Sequence, residues 1–61
     1  MKRGELIRFL TEHGCLLARH GSRHNIYVNP ANRKKQPVPH HNEIDEHLAH
    51  HIKKFLGLED Q

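Results

Sequence analysis

Acidic residues are missing from the whole middle of this 61-residue chain. No Asp or Glu lies between Glu12 and Glu43, whereas that segment holds five Arg or Lys residues and five histidines. All seven carboxylates of the side chains lie outside it. A basic stripe favours the phosphate backbone of a nucleic acid, because bound phosphates release their counterions. The same charges are also typical of a solvated surface, and the charge pattern alone does not separate the two interpretations.

Cysteine and long apolar runs are also scarce. Cys15 is the single cysteine, so no internal disulfide can form. Its apolar neighbours predict a small buried side chain in a reducing compartment. No apolar run approaches the ~20 residues of a membrane-spanning helix, and the N-terminus lacks the apolar region of a secretory signal. We therefore expect a cytoplasmic protein with no membrane partner.

Signatures of metal and nucleotide sites are absent from the sequence as well. There is no HExxH, CxxC or P-loop pattern. His47 and His51 are four residues apart, a helical spacing that can bind a metal ion, but no third ligand accompanies them. We expect solvated histidines and neither a metal nor a cofactor, and keep a small metal-binding protein as an alternative.

The sequence does contain a clear succession of helical and strand patterns. Apolar residues at helical spacing predict a first helix over residues 2–13, which Gly14 ends. Residues 15–19 and 24–29 are typical of two strands, and Gly21-Ser22 is the turn between them. These two strands should form a hairpin.

The second half predicts one more strand and one more helix. Residues 33–38 form a short third strand, which its prolines confine to an edge of the sheet. Asn42 is the expected cap of a second helix, and Gly57 ends it. The core-facing residues of this helix are expected to be Ile44, Leu48, Ile52 and Phe55. The predicted fold is α+β, in the order α-β-β-β-α, with two helices on one face of a three-stranded antiparallel sheet.

A histidine follows the hairpin turn at the start of the second predicted strand. Cleavage of RNA without a metal needs groups that move protons at the 2′-hydroxyl and at the departing 5′ oxygen, and cations for the developing charge. The imidazole of His24 suits a proton transfer near neutral pH. Gly21 lets the backbone approach a phosphate, and the amides of Ser22 and Arg23 can donate to it.

The residues alone also allow His24 to be a strand-end histidine without a role. Strand alternation places it on the face of Ile26 and Val28, the more apolar face, which is expected to pack on the helices. His40-His41 could reach the hairpin turn if the third strand pairs with the second. Whether these two histidines donate a proton, bind a phosphate or simply belong to a loop stays open. Because so short a chain has little core to enclose a pocket, any active site should lie in a shallow groove that suits an extended polymer.

Several of these segments resemble, in the same order, the HicA toxins, small mRNA interferases of bacterial and archaeal toxin–antitoxin modules. Residues 5–10 and His13-Gly14 resemble their first helix. Gly21-Ser22-Arg23-His24 matches their Gly-Ser-x-His element, although Arg23-His24-Asn25 replaces the double histidine common there. Residues 38–41 resemble their proline–histidine segment, and residues 52–58 resemble their closing helix.

The resemblance implies a fold like the double-stranded-RNA-binding domain over residues 1–61, as a single HicA-like domain. It implies ribonuclease activity through His24 and a cognate antitoxin, HicB, that covers the catalytic surface. The leading hypothesis is a metal-independent endoribonuclease that cleaves mRNA, and the alternative is a non-catalytic RNA-binding module of the same fold. The expected ligands of the scissile phosphate are Gly21, Ser22 and Arg23. Flanking phosphates are expected to bind Arg33, Lys34 and Lys35.

Overall fold

A computed structural model describes residues 1–58 of the chain. Two helices and three strands follow each other in the predicted order α-β-β-β-α. No helix within residues 1–58 is long and apolar enough to cross a membrane. The elements are α1 (Arg3–Glu12), β1 (Leu16–His20), β2 (His24–Asn29), β3 (Lys34–Pro39) and α2 (Glu46–Phe55).

The strands form one antiparallel sheet in the order β1-β2-β3, with β2 in the centre. The edge position predicted for the third strand is confirmed, but the strand is not short, because all six of its residues pair with β2. Pro37 lies opposite Ile26 and Pro39 opposite His24. Proline lacks a backbone donor, and an edge strand tolerates this because its outer side has no neighbour to bond.

Both helices pack on the same face of the sheet, as predicted, and one core joins them to it. Burying a Leu or Ile side chain stabilises the fold by about 1.5–3 kcal/mol. Cys15 belongs to this core, as expected, and burial raises the pKa of its thiol. The buried apolar residues are Leu6, Leu10, Cys15, Tyr27, Val38, Ile44, Ala49, Ile52 and Leu56.

Strand β2 turns its more polar face towards the helices. The buried residues alternate along this face: Asn25, Tyr27 and Asn29. The expectation that Ile26 and Val28 pack on the helices is therefore wrong, since both are only half-buried on the opposite face. That face also carries the exposed side chain of His24, and we call it the open face.

Hydrogen bonds of two asparagine side chains explain this choice of face. Asn29 Nδ2 donates to the backbone oxygen of Leu56 at 2.7 Å, and Asn32 Nδ2 donates to the same oxygen at 3.1 Å. Asn29 Oδ1 accepts from the amide of Ala31. Because Asn29 can reach the end of α2 only from the helix side, the remaining residues of β2 follow by alternation.

The second helix begins later than the sequence suggested. Its cap is Asp45, whose Oδ2 accepts from the amides of His47 at 3.0 Å and Leu48 at 3.4 Å. The prediction that Asn42 caps this helix is wrong, since Asn42 instead accepts a bond from the amide of Arg3 through its backbone oxygen. Asn42 and Asp45 both carry the side-chain oxygen that a cap requires, and spacing alone did not select between them.

Gly57 ends the second helix, as predicted. Its φ is +79°, and its amide donates to the backbone oxygen of Lys54 at 3.0 Å. The amide of Leu58 donates to the backbone oxygen of Lys53 at 2.9 Å, which completes a Schellman motif. Glycine adopts this left-handed conformation without the steric cost that a side chain would bring.

Phe55 does not belong to the core, in contrast to the predicted helix face. Its side chain remains 45% exposed, whereas Leu56 beside it is fully buried. Leu56 stands four residues after Ile52 and therefore continues the buried row one helical turn later. Ile44 is buried as expected, but it precedes the helix.

Candidate nucleic-acid interface

A shallow depression of about 290 Å³ lies where the hairpin turn meets the open face. The sequence predicted an open groove rather than an enclosed pocket, and this depression has that character. It contains the whole Gly-Ser-x-His element together with two residues from the neighbouring strands. The lining residues are Arg19, Gly21, Ser22, Arg23, His24 and Ile26.

Gly21 is required by the path of the backbone. A Cβ atom at this position would lie 2.5 Å from the backbone oxygen of His24, far inside van der Waals contact. The chain therefore closes the turn only if this residue has no side chain. The sequence suggested that Gly21 lets a phosphate approach the backbone. The structure shows that the turn itself also requires glycine at this position.

His24 is the first residue of β2 and projects from the open face. The expected conflict with the core does not arise, because the helices cover the other face. Within residues 1–58 its imidazole makes no hydrogen bond and no ion pair, so both ring nitrogens are available to a ligand.

A β-bulge brings Arg19 to the same depression. The pairing of β1 with β2 shifts at Ala18, so that Arg19 lies opposite Ile26. Without this extra residue, Ala18 would face Ile26 and Arg19 would lie on the helix side. Bulges re-aim side chains in this way. Sequence reasoning missed Arg19 as a site residue, since strand alternation carries no signal for a bulge.

His40 ties the hairpin turn to the end of β3. Its amide donates to the backbone oxygen of Arg23 at 3.3 Å, and its Nε2 lies 2.9 Å from the backbone oxygen of Gly21. A carbonyl only accepts, so Nε2 carries the proton in this contact. The ring also packs edge-on against His20, with 5.6 Å between the ring centroids. The second histidine, His41, is exposed.

Lys34 and Lys35 point to opposite sides of the sheet, because successive strand residues alternate. Lys35 pairs with Val28 and lies on the open face. Lys34 lies on the helix side, where its Nζ is 5.5 Å from the ring centroid of Phe55. The two lysines that the sequence grouped with His24 are thus separated from each other.

Distance also separates these lysines from the depression. Lys35 is level with Val28, four residues along β2 from His24, which corresponds to about 13 Å. Arg33 lies in the turn before β3, exposed and with a φ of +63°. These three cations therefore lie at the far end of the sheet.

The depression is electropositive, and none of the carboxylates within residues 1–58 belongs to its lining. Arg19 and Arg23 form no ion pair within residues 1–58, where the ion pairs join the N-terminal ammonium to Glu43 and Glu46. Two unpaired guanidinium groups beside an unpartnered imidazole suit a phosphodiester, since each guanidinium offers a charged fork of donors.

The described residues hold no group of three or more His, Cys, Asp or Glu side chains able to bind a metal ion. His47 and His51 are exposed on α2, and the ring of His51 stacks against Phe55. The metal-binding alternative therefore gains no third ligand in the part of the chain that the structure describes.

A family model described as the HicA toxin of bacterial toxin–antitoxin systems matches residues 3–58. This range includes all five helices and strands and the whole depression around His24. Comparison with curated proteins and with solved structures finds no match.

Replacing Gly21 by Ala should destabilise the fold by about 1–3 kcal/mol, because the new methyl group forces the turn apart at the oxygen of His24. Gly4 is the matched control: it lies in α1, where a Cβ atom would have nothing within 4 Å. Gly4→Ala should be neutral or stabilise by up to about 1 kcal/mol through helix propensity. Urea unfolding of the three proteins measures both effects. Equal stabilities would show that the turn relaxes without cost.

Proposed function

Because the chain belongs to the HicA toxin family, we propose that it is a metal-independent endoribonuclease that cleaves mRNA. The observation that carries the proposal is the unpartnered imidazole of His24 beside the guanidinium groups of Arg19 and Arg23 in one open depression. These groups supply a proton carrier and positive charge, the two requirements of phosphodiester cleavage.

In the proposed reaction, the 2′ oxygen attacks the adjacent phosphorus and its proton passes to a base. The bond to the 5′ oxygen then breaks, and that oxygen takes up a proton, which leaves a cyclic phosphate and a free 5′-hydroxyl. His24 performs one of these two proton transfers as general base or general acid. Arg19 and Arg23 stabilise the charge that builds on the phosphorane, together with the amides at Ser22 and Arg23.

Flanking phosphates bind further along the sheet in this proposal. Lys35 lies on the open face, and Arg33 follows at the same end. Their contribution is electrostatic and independent of base sequence, so it should weaken with rising salt. Lys34 faces the helix side of the sheet and contributes no charge to the open face.

A non-catalytic RNA-binding module of the same fold is the second candidate. The charge of the open face supports it equally, but it gives no role to an exposed imidazole. Incubation of purified protein with RNA in the presence of EDTA separates the candidates. Cleavage supports the proposal, binding without cleavage supports the second candidate, and cleavage that EDTA abolishes contradicts the metal-independent mechanism.

We expect His24→Ala to lower the cleavage rate by roughly 10²–10⁴-fold, the usual cost of losing a proton-transfer group. Folding and RNA affinity should change little, because the side chain is exposed. His47→Ala, an exposed histidine on α2, is the matched control and should cleave normally. Rates, melting curves and RNA binding are compared for the three proteins. Undiminished cleavage by His24→Ala would remove it from the mechanism.

Arg19→Ala should reduce kcat/KM by about 10²-fold, as expected for the loss of a charged donor to the transition state. Arg19→Lys should recover part of this loss, since it keeps the charge and lacks the planar fork. Arg8→Ala provides the control, because Arg8 is exposed on α1 and outside the depression. If Arg8 and Arg19 variants behave alike, only the net charge matters and the bulge has no role in recognition.

Membership of a toxin–antitoxin family implies that an antitoxin regulates this protein. We propose that this antitoxin is a HicB-like protein, which inhibits by covering the depression. The open face has no carboxylate around His24 and leaves Arg19 and Arg23 unpaired within residues 1–58. An acidic surface would therefore find free cations there, and complementary charge speeds association and orients the partner.

Antitoxin and RNA should compete for the same surface. Titration of the toxin with antitoxin is expected to remove RNA binding and cleavage in parallel, with an association rate that falls as salt increases. Arg23→Ala should weaken the binding of both RNA and antitoxin, whereas Arg8→Ala should leave both affinities unchanged. A saturated complex that still binds RNA with the affinity of the free protein would exclude inhibition by occlusion.

A further inference from the structure

A second cluster of cationic and aromatic side chains lies on the helix side of β3, away from His24. Phe55 is 45% exposed at the end of α2. The Nζ of Lys34 is 5.5 Å from its ring centroid, and the ring of His51 stacks with it at 6.0 Å with an angle of 27° between the planes. These residues and Lys54 line a surface pocket of about 380 Å³.

The chemistry of this pocket is that of a site for single-stranded nucleic acid. Two lysines, a histidine and an exposed phenylalanine line it, and no carboxylate is part of the described lining. Every nucleobase has a flat face that stacks on an aromatic side chain, and lysines beside the ring bind the adjacent phosphates. The exposed ring of Phe55 also leaves apolar surface in contact with water in the free protein, and a stacked base would cover that surface.

A comparison with Phe9 shows that the exposure of Phe55 is specific to this cluster. Phe9 also has a lysine and a histidine beside it: the Nζ of Lys53 lies 4.5 Å from its centroid and the ring of His13 lies at 4.1 Å. These contacts are closer, and Phe9 is half-buried against the core. Around Phe55 the contacts are looser, so a base can take the place of the ammonium group while that group moves to a phosphate.

We propose that Phe55, Lys34, Lys54 and His51 form a second RNA-binding site, in which one unpaired base stacks on Phe55 and its phosphates pair with the two lysines. The proposal rests on the proposed function, because its ligand is the same RNA strand that occupies the depression around His24. The second site holds the flank of the substrate and leaves the chemistry to His24.

The edge strand β3 gives the RNA a path between the two sites. Lys35 lies on the open face and its neighbour Lys34 on the helix side, so the pair carries positive charge around the edge. Lys34 is level with Asn29, five residues from His24 along β2, which corresponds to about 17 Å. A dinucleotide at His24 cannot span this distance, whereas a longer single strand can.

The test uses the full chain with His24→Ala, which leaves RNA intact during binding measurements. Phe55→Leu keeps an apolar side chain and removes the flat aromatic face. It should weaken binding of a single-stranded oligonucleotide of roughly ten or more nucleotides by about fivefold to hundredfold, the value of one stacked base. Binding of a dinucleotide should be unchanged. Phe9→Leu is the matched control and should alter neither affinity.

Amide and aromatic NMR shifts during the RNA titration distinguish this inference from the proposed function. Shifts at Phe55 together with shifts around residues 21–24 support both the second site and the depression as the substrate site. Shifts around residues 21–24 alone, with an unchanged affinity of Phe55→Leu, overturn the second site and leave the catalytic proposal intact. Shifts at Phe55 alone support the second site and count against the His24 depression as the substrate site. If Phe55→Leu weakens only antitoxin binding, the cluster is a protein-docking surface and the proposal is wrong.

Discussion

Within residues 1–58, helices cover only one face of the three-stranded sheet. Each side chain of β2 therefore points either into the core or towards the open face. One core holds the buried apolar residues of both helices and the sheet, and residues 1–58 contain no further element to pack on the open face. Alternation then leaves His24 exposed because Asn25 beside it is buried. The accessible position of the imidazole therefore follows from the packing of both helices on one face and the burial of Asn25 against them.

Side-chain hydrogen bonds to backbone oxygens hold the turns of this small fold in place. The oxygen of Leu56 receives two asparagine amides, from Asn29 and Asn32, and this joins the end of α2 to the turn before β3. The oxygen of Gly21 lies within hydrogen-bonding distance of His40 at the opposite end of the sheet. Each such bond contributes only about 0.5–1.5 kcal/mol, but its direction is fixed. These hydrogen bonds therefore position the turns at the two ends of the sheet.

The order of the elements was predictable from the sequence because helical spacing, strand alternation and glycine at helix ends are local signals. Gly57 ends α2 for the reason anticipated, and the Gly-Ser-x-His element forms the turn assigned to it. The faces were not predictable in the same way. Alternation divides β2 into two faces but does not say which one is buried, and a tertiary bond from Asn29 decides it. The bulge that redirects Arg19 and the exposure of Phe55 likewise depend on partners distant in the chain.

Exposure of the open face separates the residues that determine stability from those that we propose determine recognition. Substitutions at Ser22 or Arg23 change side chains in water and should alter the free energy of unfolding by no more than about 0.5 kcal/mol. Gly21, between strand and turn, tolerates no such change. Successive substitutions of exposed charges on this face can therefore accumulate while each intermediate sequence still folds. When a toxin and its inhibitor meet on such a face, compensating changes in both can accumulate, and related pairs can become mutually exclusive while keeping the same fold.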